Sequence, residues 1–373
     1  MLNKQKEIDV FLALLRAGLW EKEVRLSQYG DIDYLALMEL AEEQSVIGLI
    51  TAGLQKVTDI EIPEIELLQF VGSSLQIEQQ NKEMNKFLAW LIEKFRENDI
   101  YAILIKGQGV AQCYERPLWR SSGDLDFYLS DDNFQKAKQF FRPLVDKFDP
   151  DNDTTRHINM HMGEWVVEIH GNQYSSLSSR INKVMDEVHR DLFFNGNVRC
   201  WQNEKTLVFL PYPNNDVIII FVHFLGHFYK GGIGVRQICD WCRLLWTYRE
   251  SLDLELLESR IKRMGLMSEW KVFGVMAVEY LGMPREAMPF YNSSFQWHYK
   301  ADKVLDFILK VGNFGHNRDN SYYSKYPFLI RKTVSLCRRV TDVLHHISIF
   351  PFDSLRFFVG MTISGLQSVA HGE

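Results

Sequence analysis

The chemistry of this chain starts at Asp124-Leu125-Asp126, two carboxylates at the head of the apolar run Asp124 to Leu129. Side chains two apart on a strand point to one face. Asp124 and Asp126 therefore sit side by side, while Leu125, Phe127 and Leu129 face the core. Neighbouring carboxylates repel unless positive charge lies between them. A hard divalent cation, which prefers oxygen ligands, meets that need. A third acid, Glu168, lies in the later apolar segment Trp165 to His170, where alternation gives it one face with Val166 and His170. There is a plainer reading, in which Ser121-Ser122-Gly123-Asp124 is a polar turn before an ordinary strand. The glycine turn upstream and the acid downstream weigh against it.

These residues need elements to position them. Ala102 to Ile105 reads as a strand that stops at Lys106-Gly107, with Gly109 two residues on. The Gly107-Gln108-Gly109 turn opens a short helix, whose free N–H groups favour phosphate. Lys106 and Arg120 are candidate phosphate partners, with arginine offering a two-pronged fork. Asp131 to Phe141 reads as a helix capped by Asp131 or Asp132. A polar turn over Asp149–Thr155 follows. His157 to Met162 and Trp165 to His170, joined by Gly163-Glu164, read as a β-hairpin with a two-residue turn. Ser178 to Leu192 reads as helix, and Val198 to Leu210 as one or two short strands.

Helical patterns flank this mixed part. On the N-terminal side they run over Val10 to Leu19, Tyr34 to Leu49 and Ile65 to Phe95. The polar middle of the last, Glu78 to Asn85, reads as a solvated face. On the C-terminal side they run over Val217–Tyr229, Val235–Tyr248, Leu252–Met264, Glu269–Leu281, Ala301–Val311 and Phe328–Ile349. The basic cluster Arg331, Lys332, Arg338 and Arg339 reads as a solvated helix face. The expected division is a helical segment over 1–98, a mixed core over 99–213 and a helical domain over 214–373.

The chain has 373 residues, enough for a large core and two or three domains. It is 46% hydrophobic and 24% charged, an ordinary globular balance, and its net charge of −6 lacks the basic footprint of a general nucleic-acid binder. Five cysteines form no disulfide-scaffold pattern, which fits a reducing compartment. Cys239-Asp240-Trp241-Cys242 is a C-x-x-C without a second pair, and chance explains it better than zinc or redox work. The N-terminal stretch MLNKQKEIDV has no signal-peptide apolar region, and no apolar run is long enough for a membrane span. A cytoplasmic location is expected.

Strand, glycine turn, helix, D-x-D strand and later acid together resemble the nucleotidyltransferase fold of the DNA polymerase β superfamily. More narrowly, Lys106-Gly107, Arg120, Asp124-Leu125-Asp126 and Glu168-Ile169-His170 look like the bacterial family of uncharacterised nucleotidyltransferases. That family shows a KG turn, an R-x-x-x-D-x-D strand and a later acid-x-H strand. The resemblance spans Ala102 to Met283, since His223, Arg236 and Asp240 fit the family's helical part. It implies an α+β fold, a mixed sheet flanked by helical segments. It also implies a nucleoside triphosphate substrate, with magnesium, or manganese in its place, held by Asp124, Asp126 and Glu168. Two ions about 4 Å apart clamp the attacking and leaving oxygens in such reactions. Glu168 would share one ion and take the acceptor's proton. Lys106, Gly107, Gly109, Arg120, Ser122, His170 and Arg236 would bind the nucleotide.

The expected reaction moves a nucleotidyl group, AMP from ATP, to a hydroxyl or phosphate of a small molecule, peptide or protein. Where many superfamily members place Gly-Ser, this chain has Lys106-Gly107, so Lys106 or Ser122 must replace the serine. Its third acid is Glu where Asp is also common. Two alternatives stand beside this reading. One is a nucleotide-binding module of the same fold without turnover. The other is a zinc hydrolase built on His157, His161, His170, His223 and His227, although the i, i+4 pair His223 and His227 lacks the glutamate of H-E-x-x-H. His170 and His223 read more simply as buried, hydrogen-bonded residues near the site. For Arg236 and Asp240, a helix ion pair and a nucleotide contact remain equal readings.

Overall fold

The computed structural model describes residues 2–145, 147–148, 156–172, 174–318 and 328–359. The polar turn expected over Asp149–Thr155 lies outside them, as do the side chains of Arg331, Lys332 and Arg339.

Apolar residues at helical spacing build α1 (Leu2–Trp20), whose Val10, Phe11, Leu14, Leu15 and Leu19 are buried. The single helix expected over Tyr34 to Leu49 is two, α2 (Tyr34–Glu43) and α3 (Ile47–Leu54). The chain breaks because Ser45 takes a left-handed φ of 57°. The buried Gln44 beside it reaches away, accepting from Val235 N at 3.0 Å and donating to Ile308 O at 3.4 Å. α4 (Glu64–Glu97) is a continuous helix of 34 residues.

The mixed part contains β1 (Ala102–Ile105), α5 (Gly107–Ala111), β2 (Asp124–Leu129), α6 (Asp131–Phe141), β3 (Lys147–Phe148), β4 (His157–Met162) and β5 (Trp165–His170). α7 (Ser179–Phe193) leads to a separate hairpin, β6 (Val198–Asn203) and β7 (Thr206–Pro211). The N-cap of α6 is Ser130, not either aspartate, and its side chain makes no capping bond. The sheet has the order β1-β2-β5-β4-β3. Its β2–β5 pair is parallel and the other pairs are antiparallel. The fold is α+β.

Alternation assigns the two sheet faces. Leu125, Phe127, Leu129, Ile158, Met160, Val167 and Ile169 pack with Leu88, Leu91 and Phe95 of α4 and Phe134 and Phe141 of α6. The opposite face carries Asp124, Asp126, Glu168 and His170. Beside it lie α7, α8 (Pro213–Lys230) and α9 (Val235–Tyr248). α8 is apolar almost all round and buried, as such a pattern requires. Pro213 sits in its first turn, where a missing N–H costs nothing. α10 (Leu254–Met264) and α11 (Met267–Val275) follow. The helix expected through Leu281 changes at Met276–Tyr280 to a π-helical turn. α12 (Phe295–Val311) and α13 (Phe328–Ile347) complete the named helices, and residues 351–359 are also helical. Among the described residues, no helix is long and apolar enough to cross a membrane.

Candidate active site

The parallel register sets Asp126 opposite Glu168 and Asp124 opposite Val166. One carboxylate oxygen from each of Asp124, Asp126 and Glu168 lies within 4.8 Å of the other two. Lys106 stands over this group. Its backbone has φ 59°, a region that favours glycine and costs a lysine about 1–3 kcal/mol. Gly107 follows at φ 41°, where a side chain would be strained. The turn delivers the Lys106 ammonium to 2.6 Å from Asp126 Oδ1. The same Nζ lies 3.3 Å from His223 Nδ1, and because an ammonium only donates, that nitrogen accepts. Burial, reinforced by Lys106 and His227, pushes the His223 imidazole well below its usual range, so it is neutral. Burial and the same lysine push its neighbour His227 down to about 4.

The three acids differ electrostatically. Burial, and then repulsion from Asp126, pushes Asp124 up to about 6 against the pull of Lys106. Burial also pushes Glu168 up, but hydrogen bonds from His157 and His170 and the charges of His170 and Lys106 hold it well below the usual range. His170 Nε2 lies 3.0 Å from Asp126 Oδ1 and 3.6 Å from Glu168 Oε2. Burial lowers the His170 pKa, yet the bonds to these two acids win and raise it.

A second layer fixes the loop before β2. Arg120 donates from Nε and Nη2 to the two oxygens of Asp240, each at 2.7 Å, and from Nη1 to Ser122 Oγ at 2.8 Å. The Tyr114 hydroxyl donates to Asp240 Oδ1 at 2.8 Å. Burial opposes the charge on Asp240, but Arg120 outweighs it and holds the carboxyl below its usual value. The fork of Arg120 is thus engaged by a carboxylate of this chain. Arg236, on the same helix as Asp240, donates from Nη1 to Ser121 O at 2.5 Å. Its Nε is buried without a partner, and it makes no ion pair among the described residues. Gly109 has its Cα against Leu210, where an added Cβ would stand 2.7 Å from Leu210 Cδ2. Its lack of a side chain therefore serves packing.

Residues 30–282 match a family described as "Uncharacterised nucleotidyltransferase". The chain belongs to that family. The match begins just before α2 and takes in the three acids, Lys106, His170, His223, Arg236 and Asp240. It leaves α12 and α13 outside. Among solved structures, an antigenic nucleotidyltransferase-like protein from Paracoccidioides brasiliensis aligns at 12% identity and a TM-score of 0.31. That alignment covers 53% of this chain and 93% of that one. No curated protein matches the chain.

One residue beside the site, Asn81, escapes the sequence reading. The polar middle of α4 is not simply a solvated face. Asn81 is 1% exposed, and its Nδ2 donates to the carbonyls of Leu118 and Arg120, both at 2.8 Å. Gln108 Nε2 donates to Asn81 Oδ1 at 2.8 Å, and Trp119 Nε1 to Glu78 Oε2 at 2.7 Å. α4 therefore clamps the loop that enters β2. The signal was there: Ser74, Asn81, Leu88 and Phe95 recur every seven residues along one stripe, all buried. His157, named above only in the zinc alternative, lies 3.2 Å from Glu168 Oε2 through Nε2. A two-residue turn at Gly163-Glu164 sets Met162 opposite Trp165, and hence His157 opposite His170.

Beside the site, α1, α3 and the loop Tyr114–Ser121 enclose a cavity of about 360 Å³. Its lining includes Ser45, Gly48, Trp119, Arg120, Ser121 and Arg236. That volume is in the range of small-molecule sites.

Proposed function

We propose that this chain transfers a nucleotidyl group, AMP from ATP, to a hydroxyl or phosphate of an acceptor. The observation that carries the reading is the convergence of Asp124, Asp126 and Glu168 within 4.8 Å. The donor set suits magnesium: three carboxylates supply the oxygen ligands it prefers, and Asp124, pushed up to about 6 by burial and its neighbour, is the one left least compensated. Asp124, Asp126 and Glu168 would hold the ion, which would supply charge neutralisation on the triphosphate.

The other roles fall to the chain's own groups. Lys106 balances Asp126 and would meet a phosphate oxygen. Arg236, without a carboxylate partner of its own, pairs with the triphosphate. Glu168, kept ionised by His157 and His170, accepts the proton of the acceptor hydroxyl. Gly107, Gly109, Arg120 and Ser122 shape the turn and the loop around it. The net charge of −6 disfavours a polynucleotide acceptor, and the cavity beside Arg236 favours a small-molecule acceptor, or a side chain of a peptide or protein.

One observation favours the rival reading of nucleotide binding without turnover. Glu168 is tied to two imidazoles and depressed, which weakens it as a base. Pyrophosphate release decides between the two. The chain should be stabilised against heat by ATP with magnesium, and should release pyrophosphate when an acceptor is supplied. Asp126→Asn should lose release by at least about a hundredfold while circular dichroism reports a folded chain. Binding without release across acceptors would establish the module, and equal release by wild type and Asp126→Asn would remove the site.

A further inference from the structure

The two histidines at Glu168 are placed more specifically than hydrogen bonding to one carboxylate requires. β4 sets His157 against His170 across the hairpin. Their rings stack with centroids 4.5 Å apart and planes 13° from parallel. Both Nε2 atoms approach the same oxygen, Glu168 Oε2, at 3.2 Å and 3.6 Å. One donor atom from each of His157, Glu168 and His170 lies within 4.8 Å of the others, as do those of the Asp124, Asp126 and Glu168 group. Glu168 belongs to both groups.

The two groups differ in donor chemistry. Three carboxylates suit a hard ion such as magnesium. Two imidazoles and one carboxylate suit a first-row transition ion, such as iron, cobalt or zinc, whose affinity for nitrogen donors exceeds that of magnesium. The side chains of His157, Glu168 and His170 are 34%, 22% and 13% exposed, which leaves room for water or a substrate oxygen. A closed structural site would have no such room.

We propose that His157, Glu168 and His170 form a second divalent-metal position that takes a transition ion in preference to magnesium and shares Glu168 with the carboxylate position. The sharing rests on the reading of Asp124, Asp126 and Glu168 given above, and a carboxylate common to two ions is how two-metal centres hold them together.

Co²⁺ alone is the probe. The full chain, stripped with a chelator, is titrated with Co²⁺ and followed by visible absorption, and separately titrated with Mg²⁺. Wild type should develop the stronger bands of nitrogen-ligated Co²⁺. His157→Ala should weaken Co²⁺ binding by roughly tenfold or more, and Mg²⁺ binding, which uses Glu168 but not the imidazole, by clearly less. His157→Asn, which keeps a polar group on β4, should behave alike. The same Co²⁺ affinity and spectrum in wild type and either variant would overturn the proposal. Should both variants unfold, Cu²⁺ bound to wild type still answers: resonance spectra without histidine-nitrogen coupling overturn it, and spectra with it support it. Magnesium-dependent pyrophosphate release without a Co²⁺–histidine site removes only this inference. A Co²⁺–histidine site without any release removes the transferase reading and leaves this one.

Discussion

Asp124 is the least compensated of the three acids, and its environment makes a stability prediction with a definite sign. Burial and then Asp126 push its carboxyl up to about 6 in the folded chain, against an ordinary value of 3.8. Between those values the folded state holds a proton that the unfolded state has released, so stability falls as pH rises through that window. Glu168 works the other way: its depressed carboxyl stabilises the fold above the ordinary carboxylate range and loses that contribution as pH falls. Asp124→Asn removes a charge without changing shape. In metal-free buffer it should gain on the order of 2 kcal/mol over wild type at pH 7.5 and almost nothing at pH 4. Urea denaturation at the two pH values measures this. The comparison must be between proteins at each pH, because burial also pushes Glu269 up to about 8 and gives the wild type a similar trend. On the proposed reading the variant should release no pyrophosphate, and stability would then be traded for activity at this acid. An equal gain at both pH values would show that the Asp124 carboxylate is not under strain.

At the scale of elements, the placement of the site depends on how closely helices approach. α1 and α3 touch backbone to backbone: a Cβ on Gly53 would stand 2.1 Å from Leu14 O. α3 then meets the loop before β2 in the same manner, since a Cβ on Gly48 would stand 2.1 Å from Trp119 O. Neither contact tolerates a methyl group without movement. Gly53→Ala should cost about 3 kcal/mol by overpacking, read as a lower urea midpoint. Gly48→Ala should cost a similar amount and also displace Trp119 and Arg120, so ATP-dependent stabilisation should fall as well. Retained ATP stabilisation in a destabilised Gly48→Ala chain would show that α3 supports the fold without steering the loop.

Across the whole molecule, the larger of two hydrophobic clusters among the described residues ties the flanking helices together. It contains Phe11 and Leu15 of α1, Ile50 of α3, Phe221 and Phe224 of α8, Trp241 of α9, Trp270 of α11 and Phe357. The Arg120–Asp240 pair joins the β2 loop to α9 inside the protein. We propose the divisions near 98 and 213 as boundaries of architecture, helical to mixed to helical, rather than of stability. Ile103 and Ile105 of β1 share that cluster, so hydrogen exchange under rising urea should release α1, β1 and α9 together. Separate release of the first 98 residues would show that the N-terminal helices form an independent unit.

The sequence by itself determined what short-range rules can reach. The period-two pattern sets Asp124 with Asp126 on one face of β2 and Glu168 with His170 on one face of β5, whereas the parallel pairing that brings the two faces together belongs to the tertiary structure. The Gly163-Glu164 turn sets the hairpin register, and apolar periodicity sets α4, α8 and α9 closely. These are consequences of backbone geometry acting over a few residues. Asn81 shows where that reach ends. Its polarity argued for solvent, and only the packing of α4 on a loop about forty residues away supplied the carbonyls that make its burial favourable. The break at Ser45 has the same cause, since the Gln44 side chain is held by α9 and α12. The pairing of Arg120 with Asp240, instead of Arg236 with Asp240, was likewise decided in three dimensions. An i, i+4 spacing permits a helix ion pair, but a buried carboxylate pairs with the guanidinium that the fold brings to it.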